Sequence, residues 1–169
     1  MSVSLKTNIT MSGTQDEVIA MLKVLQTYVN ENADQYKRTH DCCYLDWARI
    51  QEGRKEVSIR KMSVEEMKAY LEKHGTSLTL NASGPLGAFS ELTEVTMFEE
   101  IASAAPYASF EGHSEGCITP DIMSCTGILK DGKLALSAFC QSEMQWQYGV
   151  QNDHQHGIFD PVNKTYIVD

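Results

Sequence analysis

The sequence lacks any apolar run approaching the roughly 20 residues that a membrane-crossing helix needs, so no transmembrane helix and no membrane partner are expected. Its first stretch, Met1 to Gly13, has neither the basic start nor the unbroken apolar segment of a secretion signal, which leads to the expectation of a cytoplasmic protein. Proline is scarce, at 4 of 169 residues, and the glycines are scattered, so neither a long linker nor a fibrous repeat is indicated. The cysteines are odd in number and irregular in spacing (Cys42, Cys43, Cys117, Cys125 and Cys140), which argues against a disulfide framework and for reduced thiols. Positive charge is missing altogether from residues 74 to 129, where Glu91, Glu94, Glu99, Glu100, Glu111, Glu115 and Asp121 carry all the charge. A net charge of −9 opposes direct binding to nucleic acid, because neutralising phosphates requires a lysine and arginine surface.

What is present fits one domain of ordinary size, residues 1–169, with an apolar fraction of 42% that is enough for a single core. Val3, Leu5, Ile9 and Met11 share one parity and predict a half-buried strand over residues 3–11. Thr14 and Glu17 have the spacing of a capping box, and Val18, Met21, Leu22, Leu25 and Val29 then repeat as one face of a helix to about residue 30. Residues 31–56 show no clear period and are left open between a loop, a short helix and an insertion or added layer, followed by a short strand through Val57 and Ile59. Ser63 and Glu66 repeat the capping spacing ahead of a second helix that Gly75 stops. A strand over Ser77 to Ala82, a turn at Ser83-Gly84-Pro85-Leu86-Gly87, and a third helix over Glu94 to Ala105 follow. Strand-like residues 107–113, a hairpin at Lys130-Asp131-Gly132-Lys133 and a second hairpin through Asp160 to Lys164 complete the chain. This order predicts an α+β fold, a ferredoxin-like or related antiparallel or mixed sheet with its helices on one face.

The segment Leu78-Thr79-Leu80, its glycine-rich connection and helix, Ala105-Pro106-Tyr107-Ala108-Ser109-Phe110-Glu111-Gly112 and the hairpin at Asp131-Gly132 together resemble ferredoxin-like domains of the YubB type. The resemblance spans roughly residues 77 to 141. These domains occur on mobile elements, and the resemblance implies a fold and no catalytic residues. A separate echo joins Ser4-Leu5-x-x-Asn8-x-Thr10 to Ser77-Leu78-x-x-Asn81-x-Ser83, each ahead of a helix.

Asp153, His154, His156 and Asp160 are the densest group of metal-ligand types, and alternate residues of a strand would bring both imidazoles to one face for a divalent ion. Against this stands the polar Gln-Asn-Asp-His-Gln-His-Gly setting, in which histidines commonly bind nothing. The neighbours His40, Asp41, Cys42 and Cys43 contain a thiol and a base, but sequence neighbours seldom point at one another, so packing of a cysteine with Tyr44, Leu45 or Trp47 is the simpler reading. The turn at Ser83 to Gly87 sits where phosphate loops occur, yet Pro85 removes an amide donor and Glu91 and Glu94 add negative charge. Glu99 with Glu100, and Glu111 with Glu115, are paired acids in sequence only, and a solvated face explains the first pair. Trp146, Tyr148 and Phe159 are read as packing the sheet.

No coherent catalytic constellation emerges, and no cofactor is expected beyond the divalent-metal alternative. The leading expectation is a non-enzymatic binding or accessory module that acts through protein contacts. All four arginines (Arg38, Arg49, Arg54 and Arg60) lie in one stretch and the acids, including Glu99 and Glu100, in another, so opposite charges are expected to mediate a partner contact or a homo-oligomer. The alternatives are a metal-dependent hydrolase built on His154 and His156, and an acidic decoy that mimics nucleic acid.

Overall fold

The computed structural model describes residues 4–39, 47–85, 93–118, 121–142 and 151–167, with side chains described over 6–31, 47–84, 95–116, 124–138 and 157–167. The chain alternates strand and helix through its first two thirds: β1 (Ser4–Ser12), α1 (Gln15–Thr39), β2 (Trp47–Glu52), β3 (Lys55–Ser58), α2 (Val64–His74), β4 (Ser77–Pro85) and α3 (Thr93–Ala104). A meander follows, made of β5 (Ser109–Ile118), β6 (Asp121–Lys130), β7 (Lys133–Ser142), β8 (Gln151–Asp160) and β9 (Thr165–Tyr166). The nine strands of the described residues join one sheet in the order β3-β2-β4-β1-β5-β6-β7-β8-β9, and every pair is antiparallel.

The helix starts follow from local chemistry. At α1 the Thr14 hydroxyl accepts the Glu17 amide at 3.2 Å while the Thr14 amide donates to the Glu17 carboxylate at 2.9 Å, and Ser63 and Glu66 make the same reciprocal cap at α2. Gly75, at φ 91°, ends α2 by donating its amide to the Leu71 carbonyl. Asp131 and Gly132, at φ 53° and 77°, form the two-residue turn between β6 and β7, a backbone that suits the twist of the strands they join.

Each helix links two parallel strands that have an antiparallel strand between them: β1 and β2 flank β4, β3 and β4 flank β2, and β4 and β5 flank β1. The first 85 residues thus run β-α-β-β-α-β, the succession of ferredoxin-like domains. The α+β class and the antiparallel sheet with its helices on one face agree with the expectation, but the sheet is larger than a ferredoxin-like one. The sheet has nine strands, and β4, not β3, lies between β1 and β2. Of residues 31–56, which carry no clear period, the described ones extend α1 to Thr39 and supply β2 and the start of β3 at one margin of the sheet. Strand β4 likewise runs beyond Ala82 into the expected turn, as far as Pro85, while Leu86 and Gly87 lie outside the described residues.

The three helices cover one face of the sheet, with α1 packed against α2, α3, β1 and β2, and α3 against β5, β6 and β7. Beneath them the inward residues form rows in cross-strand register. One row is bulky, running through Leu78, Met11, Phe110, Leu129, Leu134 and Phe159. The next places Gly112 opposite Gly127, and the fully buried Phe98 of α3 fills the saddle they leave. A Cβ on either glycine would come within 2.9 Å of the Phe98 ring, so these positions are small because an aromatic ring occupies the space. A third row contains Ala82, Thr7, Ser114, Cys125 and Ala138, with the buried Thr7 and Ser114 hydroxyls bonded at 2.7 Å.

Candidate functional site

Strand alternation sends every second side chain to the face opposite the helices, and among the described residues no helix lies over that face. Six of these residues stand in continuous register across the middle of the sheet: Arg49 on β2, Asn81 on β4, Asn8 on β1, His113 on β5, Thr126 on β6 and Ser137 on β7. Arg49 pairs with Glu56 at 3.1 Å and lies 4.8 Å from the centre of the Trp47 ring. Asn81 donates to the Gln51 side chain at 2.8 Å. The His113 ring bonds the Thr126 hydroxyl through Nδ1 at 2.9 Å and approaches Glu115 through Nε2 at 3.7 Å. The echoed segments of the sequence are adjacent strands here, and their asparagines, Asn8 and Asn81, are register partners.

The charges on this face balance. Lys6, Arg49, Lys130 and Lys133 are matched among the described residues by Glu56, Glu111, Glu115 and Asp160, in a chain of net charge −9. Near the β6–β7 turn the character changes to apolar, because Ile128, Ala135, Ile158 and Ile167 follow one another across the sheet. Beside them a shallow hollow of about 310 Å³ is lined by the hydroxyls of Thr10, Ser12, Ser77 and Ser109 together with Glu111 and Lys130.

A second hollow, of about 470 Å³, lies on the helical side between α3 and the β8–β9 turn, lined by Glu99, Glu100, Ser103, Phe159 and Lys164. Glu99 accepts a hydrogen bond from the Tyr166 hydroxyl. Burial, the Glu99 hydrogen bond and its charge push the Tyr166 phenol well above its ordinary range. Tyr28 on α1 is pushed up to about 12 by burial first and then by Glu100. Both phenols therefore keep their protons at neutral pH. The adjacent carboxylates serve different tyrosines, so they do not form a facing acid pair. Glu111 and Glu115 do share the open face, but four steps along the strand set them about 13 Å apart, with His113 between, which is wider than a glycosidase acid pair.

Of the expected metal ligands, Asp160 is engaged elsewhere. Its carboxylate accepts the Val162 and Asn163 amides at 2.9 and 3.2 Å and the Asn163 side chain at 2.8 Å, closing the β8–β9 turn. Those Asn163 bonds, with smaller help from Val162 and Lys133, hold its carboxyl below the usual range. Register pairs His154 with Phe139, His156 with Ser137 and Asp153 with Cys140, so Cys140 is out of step with both histidines; the side chains of His154, His156 and Asp153 lie outside the description. Among the described residues no three metal-binding side chains come together. His40, Asp41, Cys42, Cys43, Trp146 and Tyr148 lie outside the described residues, as does the side chain of Arg38. Phe159 is buried and packs against the tilted ring of Tyr166, as expected of a core aromatic. Arg54 and Arg60 are exposed beside the β2–β3 hairpin, and among the described residues no ion pair joins the arginine stretch to the acids of residues 91–121.

The polar row and the exposed isoleucines were not singled out from the sequence. His113 between Glu111 and Glu115 at strand spacing was the visible signal, and the echo marked the two asparagines. No family model, no curated protein and no solved structure matches the chain.

Proposed function

We propose that the protein is a non-enzymatic binding module that meets a protein partner through the open face of its sheet. The observation that carries this reading is the face itself: a charge-balanced, hydrogen-bonding surface with an apolar margin, opposite a single helical layer. The sheet edges are poorer candidates. Both are short, at 4 residues for β3 and 2 for β9, and offer few backbone groups to an added strand. The β-α-β-β-α-β succession and the likeness of residues 77–141 to YubB-type domains support a distant relation to ferredoxin-like modules, which implies no catalytic residues. A cytoplasmic setting suits a chain with these thiols.

The test is site-specific photocross-linking in cells, with a photoreactive side chain placed at Asn8 or Ser137 on the open face, or at Glu65 on the outer side of α2 as a control. Protein adducts are expected from the two open-face sites and not from the control. Adducts from Glu65 alone, or from none of the three, would overturn the assignment.

A further inference from the structure

We propose that the apolar margin of the open face is a self-association surface, on which a second copy of the chain packs the same margin about a twofold axis parallel to β7. The proposal rests on the binding role assigned above and names the partner.

An antiparallel sheet with one covered face ordinarily turns polar residues to the other, and the described residues of the first five strands in sheet order obey that rule apart from Trp47, which lies under the Arg49 guanidinium. The β6 to β9 side departs from it. Ile128 pairs with Ala135, Ala135 pairs with Ile158, and the Ile167 amide donates to the Ile158 carbonyl at 2.8 Å, so the four residues are consecutive across the sheet. The isoleucines are 42%, 45% and 42% exposed. A single exposed isoleucine is ordinary, but four apolar neighbours at strand spacing make a ridge about 14 Å long.

The three central residues of the ridge are complementary to themselves, while Ile167, at its end, comes over Glu111 of the second copy. A twofold axis along β7 exchanges β6 and β8 and preserves height along the strands. Ile128 then lies over Ile158 of the second copy, and Ala135, on the axis, meets its own counterpart. That small residue at the centre lets the two sheets approach to about the 10 Å of stacked sheets. The same operation sets Lys130 over Asp160 of the second copy, twice by symmetry. Lys133, on the axis like Ala135, meets its own counterpart, each beside its own Asp160, so one like-charge contact is set against the two opposite-charge pairs. Charge complementarity of this kind distinguishes a second copy from an arbitrary apolar partner, and it matters in a chain of net charge −9, whose acidic helices repel one another.

The experiment is sedimentation velocity on the intact chain from about 5 to about 200 µM, the range over which a micromolar interface fills. The wild type is expected to rise from 18.9 kDa towards twice that mass. Ile158→Glu and Ile128→Glu are expected to stay monomeric over the whole range with unchanged thermal unfolding, since both side chains are exposed. Lys130→Glu is expected to associate more weakly than wild type at low salt and to approach it at high salt. A wild type that stays monomeric, an isoleucine variant that still dimerises, or a Lys130→Glu chain that associates like wild type at low salt would overturn the proposal. A monomeric wild type whose open face still cross-links to other proteins would sink self-association alone and leave the binding role standing.

Discussion

Single side chains in this protein carry two consequences that their surroundings make calculable. Tyr28 titrates near 10.0 when free and at about 12 in the fold, raised by burial and then by Glu100. Between those values the unfolded chain has lost the proton and the folded chain has kept it, so the unfolded state binds fewer protons and stability falls as pH rises through the window. Below pH 10 that contribution is fully present. Tyr166, also raised, acts in the same direction. Urea midpoints taken stepwise through the window should fall for the wild type and fall less for Tyr28→Phe, and equal slopes would show that Tyr28 is not protected. The second consequence concerns the Thr7 and Ser114 hydroxyls, which are buried beneath the helices and bonded to each other at 2.7 Å. Thr7→Val strands Ser114 without its partner and should cost about 1–3 kcal/mol, whereas Thr7→Val with Ser114→Ala removes both polar groups and should recover much of that loss. Chemical denaturation of the three variants gives the coupling, and additive losses would rule it out.

At the scale of elements, what could be read from the sequence was whatever is encoded within a few residues. The two capping boxes, the Gly75 stop, the Asp131-Gly132 turn and the parity of β1 and β4 are all local, and the structure contains each of them. The misreadings have local causes too. Beyond Val29 the apolar stripe of α1 gives way to Asn30, Glu31 and Asn32, so its last turns carry no helical signature although the helix continues to Thr39. Strand β2 places only Ala48 and Ile50 in the core and hides among charged neighbours. Strand order was not legible, because alternation tells which way a residue faces and not which strand lies beside it. That gap governed the candidate site as well. A density of ligand types pointed to Asp153, His154, His156 and Asp160, while the polar row from Arg49 to Ser137 gathers one residue from each of six strands and exists only once the sheet is assembled.

For the molecule as a whole, the order of the strands divides the labour of the helices. Three crossovers weave β1 to β5 together, whereas β6 to β9 are added as a plain meander whose helical cover comes chiefly from α3. The ring that fixes α3 to this half is Phe98, fully buried over Gly112 and Gly127 and edge-on to Phe110 at 5.4 Å. Neither glycine has a side chain to move into the space the ring would vacate, so Phe98→Ala leaves a cavity that the sheet cannot close and should cost about 3–5 kcal/mol. The loss should also be uneven. Strands β1 and β4 keep α1 and the crossovers around them, so their amides should still exchange only by global unfolding. The amides of β6 and β7 lose the layer above them and should exchange through a cheaper, partial opening. Native-state hydrogen exchange on Phe98→Ala separates the outcomes: a larger fall in protection in β6 and β7 than in β1 and β4 makes the meander a subunit of stability hung on one aromatic ring, and an equal fall everywhere means that the nine strands open as one.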